Sequence, residues 1–132
     1  MSNFTRIKSS GSLAYSYFRL PKALFTDKER FAGISVDAIL LYSIFLDRTA
    51  LSIKHEWIDE NDDVYIIAPH KEMQDLTGFS KNKIGRLYNE LLEVMLISLE
   101  SQGISKPNRM YVNVIENVEL STSSSMPQNR ES

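Results

Sequence analysis

Residues 77–95, TGFSKNKIGRLYNELLEVM, decide the fold that this sequence predicts. Gly78 and Phe79 interrupt the helical pattern. Ser80 can cap a new helix, because its side-chain oxygen can accept a hydrogen bond from an unpaired backbone N–H of the first turn. Beyond this cap, apolar residues recur at the i, i+3, i+4 spacing that places them on one stripe of a helix. The stripe consists of Ile84, Leu87, Tyr88, Leu91, Leu92 and Met95. The stretch therefore predicts an amphipathic helix that buries this stripe.

The opposite face of that helix is polar and, in its N-terminal half, cationic. Glu90 and Glu93 lie only toward its far end. Arginine can pair with guanine and asparagine with adenine through two hydrogen bonds, while lysine neutralises phosphate. The candidate DNA-reading residues are Lys81, Asn82, Lys83, Arg86 and Asn89. The alternative is that this face is only a solvated helix surface.

The sequence on either side of the helix favours DNA recognition. Residues 71–77 predict a short helix that ends at Gly78, a usual left-handed stop, so a helix-turn-helix follows. After the second helix, alternating apolar residues at 97–99 and 110–114 predict two strands joined by a turn-rich loop. This hairpin is a wing, and Lys106 and Arg109 are its candidate phosphate or minor-groove contacts. The predicted fold class is α+β, a winged helix-turn-helix that is mostly helical with a C-terminal β-hairpin wing.

Two features of the second helix and its neighbour leave alternatives open. Gly85 lies inside the helix, where it costs about 1 kcal/mol relative to alanine. Either another backbone approaches closely there, or the glycine is merely tolerated. Ser35 caps an earlier helix that runs to about Lys54, and its apolar surface nearly encircles it. That helix is either the central core helix or packs partly against a second subunit.

The remaining segments are shorter. Residues 14–20 predict a short strand, and Pro21 opens a short helix through Leu24 and Phe25. Residues 53–58 and 64–68 bracket an acidic loop, as a β-hairpin or as a helix end followed by a strand. The loop resembles a calcium-binding loop only superficially, because its glycine and glutamate positions hold other residues, so we expect a solvated turn.

Composition limits the remaining possibilities. The chain has 132 residues, is 42% hydrophobic and carries a net charge of −2, which predicts one compact domain plus tails. We expect a flexible arm over residues 1–13, a DNA-binding domain over 14–116, and a polar linker or tail over 117–132 that leads to an absent C-terminal domain. Arg6 and Lys8 could bring the arm to a phosphate backbone or minor groove, although an inert tail is an equal alternative.

Chemistry-bearing motifs are missing from the sequence. There is no cysteine, which excludes disulfides, zinc ribbons and thiol catalysis and fits a reducing cytoplasm. We find no phosphate-cradling glycine loop, nucleophile elbow or histidine pair at metal spacing. The expectations are therefore no enzyme, no cofactor, no metal and no membrane association.

Short motifs along residues 15–115 resemble the RepA_N family of plasmid replication initiators from low-GC Gram-positive bacteria. They include YFRLPKALF at 17–25, SVDAILLY at 35–42, WIDEN at 57–61, VYII at 64–67, SKNK at 80–83 and KPNRMYV at 106–112. The resemblance implies a winged-helix domain that binds repeats in double-stranded DNA at a plasmid origin, commonly as a homodimer. It implies that host replication proteins are engaged only through a separate C-terminal domain, and that the protein acts in the bacterial cytoplasm. A winged-helix transcriptional regulator that binds an operator, or a protein–protein assembly module, are the alternatives.

Overall fold

The structure is a computed structural model that describes residues 4–11 and 15–115. Its elements are α1 (Ala23–Thr26), α2 (Lys28–Phe31), α3 (Val36–Lys54), α4 (His70–Thr77), α5 (Lys81–Glu93), β1 (Ile97–Glu100) and β2 (Arg109–Val112). The two strands pair antiparallel, with Ile97 opposite Val112 and Glu100 opposite Arg109. The predicted α+β class, mostly helical with a C-terminal hairpin, is confirmed. Within the described residues, no helix is both long and apolar enough to cross a membrane.

Helix α3 passes through the centre of the core. Its cap is the predicted one, because the Ser35 Oγ accepts a hydrogen bond from the backbone N–H of Ala38 at 3.1 Å. The Glu90 carboxylate of α5 strengthens this end, since it accepts hydrogen bonds from the Ser35 N–H at 2.8 Å and the Ser35 hydroxyl at 3.0 Å. The N-terminal part of α3 is buried through Ala38, Ile39, Leu41, Tyr42, Ser43, Ile44 and Phe45. The core-helix interpretation therefore holds for that part.

Helix α5 packs its apolar stripe against α3 and α4. Tyr88 lies edge-on to Phe45, with ring centroids 5.5 Å apart, and its hydroxyl donates a hydrogen bond to the Ala68 carbonyl at 2.6 Å. Tyr42 similarly donates to the Asn113 carbonyl at 2.5 Å. Buried tyrosine hydroxyls need such partners, because an unpaired polar group in a core is costly. The Tyr88 bond fixes α5 relative to the segment that leads into α4, and the Tyr42 bond fixes α3 relative to the segment that follows β2.

A further bridge widens the small sheet. Ile66 and Met110 exchange backbone hydrogen bonds, each at 2.8 Å, so the segment around Ile66 pairs with β2 on the edge opposite β1. Upstream, Ile58 and Val64 form an isolated bridge that closes the acidic loop. The region after α3 is thus a helix end followed by a minimal hairpin, which combines the two predicted possibilities.

The end of α5 corrects one prediction, because Met95 does not continue the buried stripe. The helix stops at Glu93, and Met95 has φ 63° and a side chain that is 72% exposed. Its N–H donates to the Leu92 carbonyl at 3.1 Å, while the Leu96 N–H donates to the Leu91 carbonyl at 3.0 Å. This pair of bonds is the Schellman stop of a helix. It turns the chain so that Leu96 and Ile97 are buried at the start of β1.

The N-terminal segments differ from prediction in two ways. Described residues 15–20 form no strand, because they have no ladder partner within residues 4–11 and 15–115 and their aromatic side chains are largely exposed. The predicted short helix is present as α1, but Lys22 occupies its cap position, so Pro21 precedes the helix. Helix α2, capped by Asp27 through a bond from the Arg30 N–H at 3.1 Å, was not predicted. The predicted tail over residues 117–132 lies outside the described residues.

Candidate nucleic-acid interface

The turn between α4 and α5 has the chemistry that the sequence predicted. Gly78 adopts φ 80° and its N–H donates to the Gln74 carbonyl at 2.8 Å, so it terminates α4 as a left-handed cap. The Thr77 hydroxyl accepts a hydrogen bond from the Phe79 N–H at 3.1 Å. The Ser80 Oγ accepts one from the Lys83 N–H at 3.1 Å, which begins α5. These local bonds fix the angle at which α5 leaves α4, which is what a helix-turn-helix requires.

One face of α5 is anchored in the core and the other is presented to solvent. Ile84, Leu87, Tyr88 and Leu91 are buried. Exposed side chains on the polar face are those of Lys81, Asn82, Arg86 and Asn89. The structure therefore brings these predicted residues together on a single accessible surface. Because the helix N-terminus carries a partial positive charge, the end of this surface near Lys81 also attracts phosphate.

Lys83 differs from its neighbours on α5. Its Nζ lies 2.6 Å from an Asp37 carboxylate oxygen in the first turn of α3 and 4.3 Å from the centre of the Phe79 ring. The side chain is partly buried, and its charge is already paired within the chain. Lys83 thus joins α5 to α3 in this structure, and its predicted groove contact would require it to leave Asp37.

Gly85 has no close neighbour in the chain. A Cβ placed on this residue would meet nothing within 4 Å. No other backbone among the described residues approaches the helix closely here, so this part of the chain gives no packing reason for the glycine. Gly85 lies one turn from both Lys81 and Asn89, on the edge of the exposed face.

The predicted wing is the hairpin β1–β2, and its two candidate cations occupy different places. Lys106 lies in the connecting loop and is exposed. Arg109 lies at the start of β2, where its guanidinium carbon is 4.5 Å from the centre of the Tyr65 ring and its Nε donates to the Gln102 Oε1 at 3.2 Å. Cation–π stacking and this hydrogen bond hold the Arg109 side chain in one orientation.

The acidic loop packs beside the same strand. The Asp59 carboxylate accepts hydrogen bonds from the Asp63 N–H at 3.0 Å, the Asn61 N–H at 2.8 Å and the Tyr111 hydroxyl at 2.8 Å. The backbone N–H of Asp63 is the largest of the influences that hold the pKa of Asp59 below its usual range. The expected solvated turn is thus present, but it adjoins the base of the wing and lowers the positive potential around Arg109.

The arm residues Arg6 and Lys8 are exposed. Within residues 4–11 and 15–115, neither side chain forms an ion pair or hydrogen bond, so the structure does not join them to α5 or to the wing. Their predicted DNA contact stays a prediction.

Sequence reasoning missed the residues that hold the candidate contacts in place. Asp37 pairs with Lys83, and Glu90 accepts a hydrogen bond from Ser35 at the start of α3. Tyr65 and Gln102 both contact Arg109. Only Gln102 carried a usable signal, since it stands directly before the turn glycine of a predicted hairpin.

Comparisons with known proteins bear on this arrangement. Residues 16–125 match the model of RepA_N, the N-terminus of replication initiator protein A (RepA). A 41 kDa protein from Lactobacillus helveticus is 27% identical over 93 residues, which are 70% of this chain but only 26% of that protein. The chain thus spans about a quarter of the length of this relative.

Solved structures share both the fold and part of the sequence. The N-terminal domain of a DNA binding protein superposes with a TM-score of 0.71 at 27% identity, covering 79% of each chain. The protein in a Rep–DNA complex superposes with a TM-score of 0.68 at 27% identity, covering 75% of each chain. An MDR initiator gives 0.66 at 29% identity, covering 79% of this chain and 81% of its own. Because the family model matches most of this chain, the chain belongs to the RepA_N family of replication initiator N-terminal domains.

Proposed function

We propose that this chain binds repeated sequences in a plasmid replication origin as double-stranded DNA and thereby initiates plasmid replication. One observation carries the proposal: the exposed face of α5 presents Lys81, Asn82, Arg86 and Asn89 on a helix whose opposite face is locked into the core. The similarity to the protein of a Rep–DNA complex supports it.

The exposed face of α5 divides its work between bases and phosphates. Arg86 can donate two hydrogen bonds to guanine, and Asn82 and Asn89 can pair with adenine in the same way. Lys81, at the positive end of the helix, suits a phosphate. Lys83 becomes a further phosphate contact when DNA competes with Asp37 for it.

The wing and the arm supply contacts outside the major groove. Lys106 is free to move toward a phosphate, whereas Arg109 is preorganised by Tyr65 and Gln102. Arg6 and Lys8 extend the contact along the backbone or into a minor groove. All these cations add affinity without base preference, which is why binding should fall as salt rises.

We further propose that the chain reads DNA without cutting it and uses no metal or cofactor. Host replication proteins then act through a separate C-terminal domain, after the linker predicted at 117–132. A protein that initiates replication of a bacterial plasmid works in the cytoplasm, where that DNA lies.

A homodimer is the proposed form on DNA, because paired domains match repeated sites. The late turns of α3 support a contact between copies. Leu51 is half exposed and lines an open, mostly apolar groove of about 570 Å³ with Trp57 and Leu76. Replacing Leu51 by glutamate should lower the dimer fraction measured by analytical ultracentrifugation, without unfolding the chain, since the side chain is not in the core.

The DNA proposal is tested by titrating the chain against a duplex carrying origin repeats and against a scrambled duplex, each at two salt concentrations. Arg86→Ala should cost about 1–3 kcal/mol of binding free energy and relax the preference at one base pair. Lys106→Ala should weaken binding to both duplexes alike and lower the salt slope by about one.

The outcomes separate the competing functions. If Arg86→Ala left the sequence preference unchanged, the base-reading role of α5 would be wrong. Equal binding of the wild-type chain to both duplexes would remove origin recognition. An absence of salt-dependent DNA binding would favour an assembly module, and a preference for promoter operators over origin repeats would favour a transcriptional regulator.

A further inference from the structure

The loop of the wing carries an apolar side chain that the core does not use. Ile104 lies between β1 and β2 and is 96% exposed, more than the other exposed large hydrophobic residues of the described chain. Its neighbours in the loop are polar or turn-forming residues, so Ile104 is an isolated large apolar side chain within a hydrophilic loop. An exposed β-branched side chain gains nothing for folding at such a position.

The loop is built to hold this side chain outward. Gly103 before it has φ 117° and Ser105 after it has φ 70°, so left-handed residues flank Ile104 on both sides. The Lys106 N–H donates to the Gly103 carbonyl at 3.3 Å, which closes the turn around it. Ile104 therefore lies within a closed turn, with its side chain in solvent.

Gln102 ties the two sides of the loop together. Its Nε2 donates to the Pro107 carbonyl at 2.9 Å, and its Oε1 accepts from the Arg109 Nε at 3.2 Å. The same side chain thus sets the position of the loop and of Arg109. A preorganised loop loses less conformational entropy when it binds, so it can place an apolar tip accurately.

We propose that Ile104 inserts into the minor groove of the bound DNA duplex and packs against sugars and base edges there. This inference rests on the proposed function, since it assumes that the wing meets DNA. Cationic Lys106 in the loop and Arg109 at the start of β2 bring the wing to the phosphates that border a minor groove. DNA-bending proteins use apolar side chains in this groove.

Such a contact has a base preference. Guanine places its N2 amino group on the floor of the minor groove, whereas A·T pairs leave that floor open. An isoleucine tip therefore favours A·T pairs beneath the wing. Ile104 would be a specificity-determining residue for base pairs that α5 does not reach.

The test uses a duplex that the wild-type chain itself selects from a randomised pool. Ile104→Ser should weaken binding to it about tenfold, because burial of most of the side chain is lost. The salt slope should not change, since no phosphate contact is removed. Ile104→Leu should retain the affinity, and Lys106→Ala provides the contrasting control, in which the salt slope falls. Thermal unfolding of the variants should match wild type because Ile104 is exposed.

A modified base locates the contact. Replacing single adenines by 2,6-diaminopurine adds an amino group in the minor groove and leaves the major-groove edge unchanged. Substitution beneath the wing should weaken wild-type binding but not that of Ile104→Ser. If Ile104→Ser bound like wild type and showed the same diaminopurine response, the inference would be overturned while the proposed function stood. A wild-type chain that selects no sequence would overturn both.

Discussion

Gly85→Ala is expected to stabilise the domain by about 1 kcal/mol. Gly85 lies inside α5, is not among the described residues with positive φ, and has nothing within 4 Å of the position that a Cβ would take. The added methyl group therefore neither clashes nor packs, and only the backbone preference for alanine in a helix remains, which is about 1 kcal/mol. For a domain of this size, that free energy raises the melting temperature by roughly 4–8 °C.

Gly78→Ala is the matched control. A Cβ on Gly78 also meets nothing within 4 Å, but this residue has φ 80°. Alanine in the left-handed region costs roughly 1–2 kcal/mol. The change in the unfolded chain is the same for both substitutions, so the difference between them, about 1–2 kcal/mol, reports the cost of the left-handed backbone conformation for alanine. Urea unfolding measures the change in unfolding free energy of both variants, provided that its dependence on urea concentration has the same slope as in wild type.

DNA affinity gives Gly85→Ala a second readout. Because the described chain gives no reason for the glycine, we expect the approaching backbone to be that of DNA, and the alanine variant should be more stable yet bind its selected duplex more weakly. Unchanged affinity would refute the close approach. A variant that is no more stable than wild type would refute the regular helix around Gly85 on which the estimate depends.

Further predictions concern α3 and its partners. Asp37→Asn should cost about 0.5–1 kcal/mol of stability, because it removes both the ion pair with Lys83 and a carboxylate at a helix N-terminus. Because Lys83 is then free, the slope of DNA affinity against salt concentration should steepen by up to about one. An unchanged slope would mean that Lys83 does not reach a phosphate. Burial raises the pKa of Tyr42 to about 12, so the folded chain retains a proton that the unfolded chain loses from about pH 10. The free energy of unfolding should therefore decrease between about pH 10 and 12. Tyr42→Phe should lower the free energy of unfolding by about 1 kcal/mol at neutral pH, and that free energy should then decrease less steeply above pH 10 than in wild type. An equally steep decrease would mean that other groups cause the pH dependence.

The predictions that held depend on local chemistry. Ser35 and Ser80 cap their helices through N–H groups three residues away, and Gly78 stops α4 through its own φ. Each of these signals lies within a few residues, so a sequence displays it directly. The order of these signals, followed by alternating apolar residues at the wing, was enough to specify the winged helix.

The predictions that failed needed information from distant segments. The apolar spacing carried the α5 stripe on to Met95, but the chain turns there so that Leu96 and Ile97 enter the core. The aromatic run at 15–20 has strand propensity, but the described part of the chain offers it no neighbouring strand to pair with. Propensity alone does not supply a hydrogen-bonding partner.

In the candidate site too, the sequence predicted what depends on local spacing and missed what depends on contacts between distant residues. Position on the helix correctly placed Lys81, Asn82, Arg86 and Asn89 on an exposed face, because helical geometry follows from spacing alone. It could not tell that Lys83 is paired with Asp37, forty-six positions earlier in the chain, or that Arg109 is stacked on Tyr65. A lysine in a helix and an arginine in a strand look equally available in a sequence.

That difference matters for how the surface would work on DNA. Lys81 and Lys106 are exposed, and a phosphate contact with either must immobilise a long side chain at an entropic cost. Arg109 has already been ordered by Tyr65 and Gln102, so it can bind at a lower cost. Lys83 must first give up Asp37, and its net gain is the difference between two ion pairs. Equal charges on one surface are therefore expected to contribute unequally, with Arg109 giving more binding free energy for each phosphate contact than Lys83.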